Sequence, residues 1–157
     1  MFKEEFMARA IELSRKALTQ PGLGPFGAVV VRDGRIVGEG YNQAVFRCDP
    51  TSHSEVEAIR DACTRLQTID LSGSELYTSC EPCSLCVATI LLSRIDKVYY
   101  GASSQQSAAA MPNIARPITV QELREQTGRP IEQRRIPAEQ HRDAEAVDVL
   151  RQWGRAG

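Results

Sequence analysis

Phe26-Gly27-Ala28-Val29-Val30-Val31, then Asp33-Gly34, then Arg35 to Tyr41: two runs suited to β-strands flank a dipeptide that favours a tight hairpin turn. Positive φ at both central residues is what such a turn requires, and Asp-Gly supplies it at low cost. The stretch therefore predicts an antiparallel pair at the edge of a sheet.

The same reading extends in both directions. Upstream, Phe2, Phe6, Ala10, Leu13 and Ala17 recur at three- and four-residue steps, which predicts an amphipathic helix ended by Gln20-Pro21-Gly22-Leu23-Gly24-Pro25. Downstream, Val56, Ile59, Cys63 and Leu66 mark a second helix entered after Asp49-Pro50-Thr51-Ser52, with His53 and Glu55 in its first turn. Leu76 to Cys80 reads as a strand, Cys83 to Ser93 as a helix apolar nearly all round, and Lys97 to Gly101 as another strand. Ala102 to Ala110 fits a loop or a helix start. Val120 to Gln126 suits a short helix and Ile131 to Ile136 a last strand. Ala138 to Trp153 suits a closing helix with Ala146, Val149, Leu150 and Trp153 facing inward. Helices between strands imply an α/β fold whose sheet is covered on both faces. With no internal repeat and no dividing linker, residues 1–157 are expected to form one domain.

At 157 residues such a chain can bury roughly 68–70% of its unfolded surface without staples. The net charge is −1, from 19 basic and 20 acidic residues, so no chain-wide field would gather phosphate backbones or anionic lipid. Neutral small substrates suit that balance, and Arg124, Arg129, Arg134 and Arg135 read as a solvated face. Met1 to Phe6 develops no signal-peptide core, and no run approaches the roughly 18–20 apolar residues of a membrane span. A cytoplasmic protein is the simplest expectation. Five cysteines, an odd number, suit a reduced compartment and metal binding better than a disulfide framework. Cys48 and Cys63 are expected to be bystanders that behave as small buried hydrophobes.

The chemistry resides in His53-Ser54-Glu55 and Pro82-Cys83-Ser84-Leu85-Cys86. His53, Cys83 and Cys86 are three zinc-type ligands, and Glu55 is a carboxylate not needed as a fourth. Catalytic zinc sites keep three protein ligands and a water, whereas structural sites close with four. Cys83 and Cys86 share one face at a helix start, where free N–H groups and the positive helix end favour thiolates. Bland alternatives exist for each part. A C-x-x-C can be structural or redox-active, Cys80 could extend it toward an iron–sulfur run, and Ser52 to Glu55 also fits a capping box. The linked motifs favour Glu55 as a proton shuttle.

Together the H-x-E and P-C-x-x-C motifs resemble the signature of zinc nucleobase deaminases. Over about residues 2 to 101 the chain resembles the cytidine deaminase-like superfamily. Pro25 to Val30, Gly40-Tyr41-Asn42, Asp49-Pro50-Thr51, His53 to Arg60 and Thr78 to Cys83 look most like guanine deaminases. The resemblance implies a three-layer α/β/α fold around a mixed five-stranded sheet. It also implies one zinc ion with a bound water on His53, Cys83 and Cys86, and Glu55 as the acid–base of a hydrolytic deamination. Asn42 would contact a substrate amide, Phe26 would stack or form a wall, and backbone near Ser54 and Glu81 would touch the substrate. An aminated base or nucleoside, guanine first, is the implied substrate, with a homodimer as the assembly, while the near-neutral charge speaks against a nucleic-acid partner. Three departures concern the pocket. Leu92 stands where those enzymes carry a tryptophan, Ser54 replaces an alanine, and no Asp or Glu occurs between Gly101 and Glu122. Rival readings are a cytosine-type, isocytosine or triazine deaminase, a tRNA adenosine deaminase, and a non-catalytic zinc-stabilised interaction protein.

Overall fold

The computed structural model describes residues 1–114 and 117–155, which divide into two compact units, 1–123 and 124–157. In the first unit, helix α1 (Glu4–Ser14) leads through a 3-10 turn to β1 (Gly24–Arg32) and β2 (Arg35–Asn42). Helix α2 (Ser54–Leu66), β3 (Ser74–Cys80), α3 (Ser84–Leu92), β4 (Lys97–Ala102) and α4 (Ser104–Ala110) follow, before α5 (Val120–Gly128) carries the chain across the boundary. The expected hairpin is present: Asp33 and Gly34 take φ of 51° and 71°, and β2 pairs antiparallel with β1 at the sheet edge.

The described residues form a sheet of four strands in the order β2-β1-β3-β4, with β1 antiparallel to both neighbours and β3 parallel to β4. Successive residues of β1 serve opposite faces. Ala28 and Val30 join Leu76 in a cluster with Ala58, Ile59 and Ala62 of α2 and Ile90 of α3. Val29 and Val31 join Tyr77 in a second cluster with Phe6, Met7 and Leu13 of α1. This period-two division makes the three-layer α/β/α arrangement. Tyr77 anchors α1, its ring centroid lying 5.4 Å from that of Phe6 and 4.7 Å from that of Tyr99.

One packing feature bears directly on the site. A β-carbon on Gly40 would run into the backbone of Ser54 and Ala58, so only glycine lets β2 approach the first turn of α2 this closely.

The fifth strand is a correction. Residues 131–136 form a 3-10 turn at Ile131–Gln133 followed by irregular chain, between Pro130 and Pro137. Ile131 and Ile136 are both exposed, so no buried face holds the segment extended. The closing helix also differs: α6 spans Asp143–Arg155 and begins beyond Arg142, whose φ of 55° is not helical. Ala146, Val149, Leu150 and Trp153 are exposed, not inward-facing, because a unit of 34 residues is too short to bury an apolar face by itself. Residues 102–110, open between loop and helix, include α4, held by a capping box in which Ser103 Oγ accepts from Gln106 N. Helix α3 is apolar as expected but buries only Cys86 and Ile90, leaving Val87, Leu91 and Leu92 exposed. Cys48 is exposed, contrary to expectation, because it occupies a loop turn at φ 52°; Cys63 packs half-buried against the α2 side of the core. Among the described residues no helix is long and apolar enough to cross a membrane.

Candidate active site

The site lies where two helices begin. His53 is the N-cap residue of α2 and Cys83 that of α3, and both have extended backbone with no side-chain cap bond. Their side chains are thereby left for other work. Cys86 lies three residues beyond Cys83, in the first turn of α3, and is almost wholly buried. The preceding strand, β3, runs parallel to β4, so the site opens at the carboxyl ends of that pair. Ligands of open α/β sheets commonly bind at such an end.

His53 Nδ1 lies 3.6 Å from Cys83 Sγ and 3.5 Å from Cys86 Sγ, and the two sulfurs are 3.7 Å apart. Zinc bonds of about 2.3 Å to sulfur and about 2.0–2.1 Å to nitrogen, set tetrahedrally, require donor separations of about 3.6–3.8 Å. The three donors fit zinc. Among the described residues they are the only group of three or more His, Cys, Asp or Glu side chains suited to an ion, and Cys80 is not part of it. Cys80 stays half-buried at the end of β3, with Ser107 of α4 as hydrogen-bond partner.

Electrostatics agree with the donor set. The Sγ–Sγ contact with Cys86 lowers the Cys83 pKa to about 4 despite burial, with His53 contributing in the same direction. Two helix N-termini add positive potential. The shared contact and burial push the Cys86 thiol upward. His53 is raised, chiefly by its bond to Cys83. With zinc held by His53, Cys83 and Cys86, both sulfurs would be thiolates.

Glu55 is 6% exposed and is no part of the donor cluster. The capping box is absent: the N-cap is His53 instead of Ser52, and Glu55 Oε2 accepts a 2.8 Å hydrogen bond from Ser54 Oγ. Burial raises the Glu55 carboxyl, and the Ser54 hydroxyl opposes that shift. A buried carboxyl whose pKa is raised above the ordinary carboxylate value suits proton transfer better than a solvated one.

The expected substrate residues surround this centre to different degrees. Asn42, half-buried at the end of β2, accepts from Ala44 N at 3.2 Å and packs against Gly24. Phe26 is half-buried on β1. Ser54 is fully buried, its side chain engaged with Glu55. Glu81 turns its carboxylate to the start of α4, accepting from Ser104 N at 2.8 Å and Ser104 Oγ at 2.9 Å, while its own N–H donates to Ala102 O. It thus ties the β3–α3 loop to the segment after β4. Leu92, which stands where the resembled enzymes carry a tryptophan, is exposed.

Sequence reading missed Ser52 and Glu57. Both are buried, and Ser52 Oγ donates to Glu57 Oε1 at 2.7 Å. No motif marks Glu57, and the capping box that singles out Ser52 does not lead to it, since the bond depends on how the loop folds back onto α2.

Two thiol sulfurs and an imidazole spaced to hold one ion, with a buried acid outside the donor set, fit a catalytic zinc centre of the hydrolytic kind. Comparison with known proteins narrows that class. The zinc-binding region of cytidine and deoxycytidylate deaminases matches residues 1–102, and the chain belongs to this deaminase family. It is 44% identical to guanine deaminase of Bacillus subtilis over 110 residues, 70% of each protein. It is 42% identical to the tRNA-specific adenosine deaminase of Haemophilus influenzae over 111 residues, 69% of this chain and 62% of that protein. The crystal structure of the Bacillus subtilis guanine deaminase superposes with a TM-score of 0.87 at 36% identity, covering 99% of this chain and 95% of that one. The chain is a zinc-dependent aminohydrolase that acts on C–N bonds of cyclic amidines.

Proposed function

We propose that the protein deaminates guanine, with His53, Cys83 and Cys86 holding zinc and Glu55 moving the protons. The observation that carries guanine over other bases is the reach of the likeness. The guanine deaminase structure superposes on 99% of the chain at a TM-score of 0.87, whereas a tRNA adenosine-34 deaminase structure superposes on 64% at 0.62.

Zinc bound by these three residues supplies water activated for attack at neutral pH. Glu55 takes a proton from that water and gives it to the ring nitrogen beside the carbon bearing the amino group. A C–O bond forms as the ring C=N becomes a single bond. Glu55 then takes the remaining proton from the new hydroxyl and passes it to the amino group, the C–N bond breaks, and ammonia leaves as the carbonyl forms. One water is consumed for each ammonia released, and guanine becomes xanthine. The Ser54 bond fixes one Glu55 oxygen through these transfers. In this reading Asn42 orients the ring through its amide, Phe26 supplies an apolar wall, and backbone near Ser54 and Glu81 completes the rim.

The reading treats residues 1–157 as one functional domain in a homodimer. Val87, Leu91 and Leu92 of α3 and Tyr100 of β4 support the dimer as exposed apolar side chains. Five free cysteines support a reduced, cytoplasmic setting. A net charge of −1 favours a free base over tRNA.

The test is ammonia release by zinc-loaded protein on guanine, guanosine, cytosine, isocytosine, adenine, aminated triazines and a tRNA anticodon hairpin, each repeated with Glu55→Gln. Guanine turnover lost in Glu55→Gln with one zinc retained is the expected result. Turnover of another base, or of tRNA alone, overturns the substrate. Turnover unchanged in Glu55→Gln overturns the proton shuttle. Sedimentation of wild type against Leu91→Glu/Leu92→Glu tests the dimer.

A further inference from the structure

Two positions beyond Glu55 on α2 stands a second buried carboxylate, Glu57, that neither binds metal nor moves a proton in the reaction above. Its side chain is 10% exposed and has three partners. Oε1 accepts from Ser52 Oγ at 2.7 Å and from Arg60 Nη1, and Oε2 accepts from Arg47 Nη1 at 3.1 Å. Arg60 belongs to α2 itself. Arg47 and Ser52 belong to the loop of residues 43–52, which joins β2 to α2.

That loop is stitched to itself by backbone bonds. Gln43 N donates to Ser52 O at 3.0 Å across its neck, Asp49 N to Ala44 O at 3.0 Å, and Arg47 N to Gln43 O at 2.9 Å. It thus moves as a piece, and its ends are two site residues. Before Gln43 comes Asn42, whose side chain is held by Ala44 N; after Ser52 comes the metal donor His53. Among the described residues, the side-chain hydrogen bonds between this loop and α2 converge on Glu57.

We propose that Glu57 is a positioning residue for substrate binding: by clamping the loop of residues 43–52 to α2, it sets where Asn42 stands relative to Glu55. The inference rests on the deaminase reading above for the role of Asn42. The chemistry favours fixing over mere stability. A buried charged cluster contributes little net stability, because desolvation offsets the attraction, yet its directional bonds admit one arrangement of the loop. The reacting atoms themselves are attached to α2 and α3, not to the loop, so its release alters how substrate is held more than how protons move.

The experiment compares wild type, Glu57→Gln, Arg47→Ala and the double variant, each with zinc loaded. Arg47 has an exposed side chain, so its removal leaves the core intact if Glu57→Gln folds poorly. The expected result is a rise in KM for guanine of about tenfold in each single variant, with kcat within about twofold and one zinc per chain. The double variant is expected to be no worse than Glu57→Gln by more than about twofold, because both act on one clamp. Hydrogen exchange gives a readout independent of substrate: the amides of Arg47 and Asp49 are expected to exchange about tenfold faster or more, with the amides of the α2 interior unchanged. An unchanged KM in folded variants overturns the proposal, as does a matched loss of kcat and zinc. If guanine is not turned over by any form, faster exchange confined to the loop still supports the clamp, and unchanged exchange overturns it. Failure of the guanine assignment and failure of the clamp are thereby separable.

Discussion

The α-carbon of Gly40 on β2 lies so close to the carbonyl of Ser54 on α2 that no side chain fits between them. This contact seats the turn of helix that carries Glu55, two residues past His53.

Gly40→Ala should therefore act at a distance on the metal. Overpacking of a tight contact costs about 1–3 kcal/mol, and here the backbone on both sides must shift. The expected outcome is a fall in thermal midpoint of about 3–8 °C, with weaker zinc retention under a competing chelator. Zinc affinity unchanged alongside a lowered midpoint would show that the contact supports the fold alone.

Stripping the metal should lower stability. The donors already stand at zinc spacing in the folded chain, and an ion that binds only the folded state stabilises it by about 2.7 kcal/mol at 100 times its dissociation constant. Chelation should lower the midpoint and abolish turnover, with both restored by added zinc. Cys86→Ser, at a position 1% exposed, should prevent the restoration. A midpoint indifferent to chelator would argue that the three side chains do not hold the ion.

Alkaline pH should loosen the α1 face of the core. Tyr77 is fully buried, its hydroxyl accepts from Lys3 N at 3.2 Å, and burial chiefly raises its pKa from 10.0 to about 12. The folded state keeps the phenol proton where the unfolded chain releases it. The associated stability is complete below about pH 10 and is lost as pH rises from 10 toward 12, by about 2–3 kcal/mol in all. Urea unfolding of wild type and Tyr77→Phe across this range should show that slope only in wild type. Parallel slopes would assign it to other groups.

Acid should weaken the link from α1 to β2. Arg9 forms a two-pronged pair with Glu39, Nε to Oε1 at 2.7 Å and Nη2 to Oε2 at 2.9 Å, and this lowers the Glu39 pKa below 4.5. A depressed folded pKa contributes stability above the unfolded value, and that contribution disappears as pH falls through the folded one. The pair is partly exposed, so the effect should stay below about 1 kcal/mol. Glu39→Gln should remove this part of the acid dependence, and an identical acid limb in the variant would show that Glu39 does not supply it.

The sequence by itself determined the elements and chemistry that depend on near neighbours. Alternation along Ala28 to Val31 divides one strand between two helical layers, because successive side chains leave a strand on opposite sides. Asp33-Gly34 makes its turn through local φ preference. Cys83 and Cys86 come together through their three-residue spacing at a helix start, and with His53 they make a group of donors able to hold one ion. Tertiary structure decided whatever depends on residues brought together from afar. His53 reaches the cysteines only because α2 and α3 begin at the same end of the sheet, and that packing requires Gly40. Glu55 is released from capping because the helix begins at His53, one residue later than the capping box requires. The 131–136 segment has an apolar residue at each end but no buried face, so strand propensity there is not realised. The amphipathic pattern of α6 is real, yet amphipathicity states only that a face needs cover; its exposed Trp153 shows that the pattern alone does not supply it. Glu57 and Arg47, ten residues apart in no recognisable motif, meet because the loop folds back, and that relationship exists only in three dimensions.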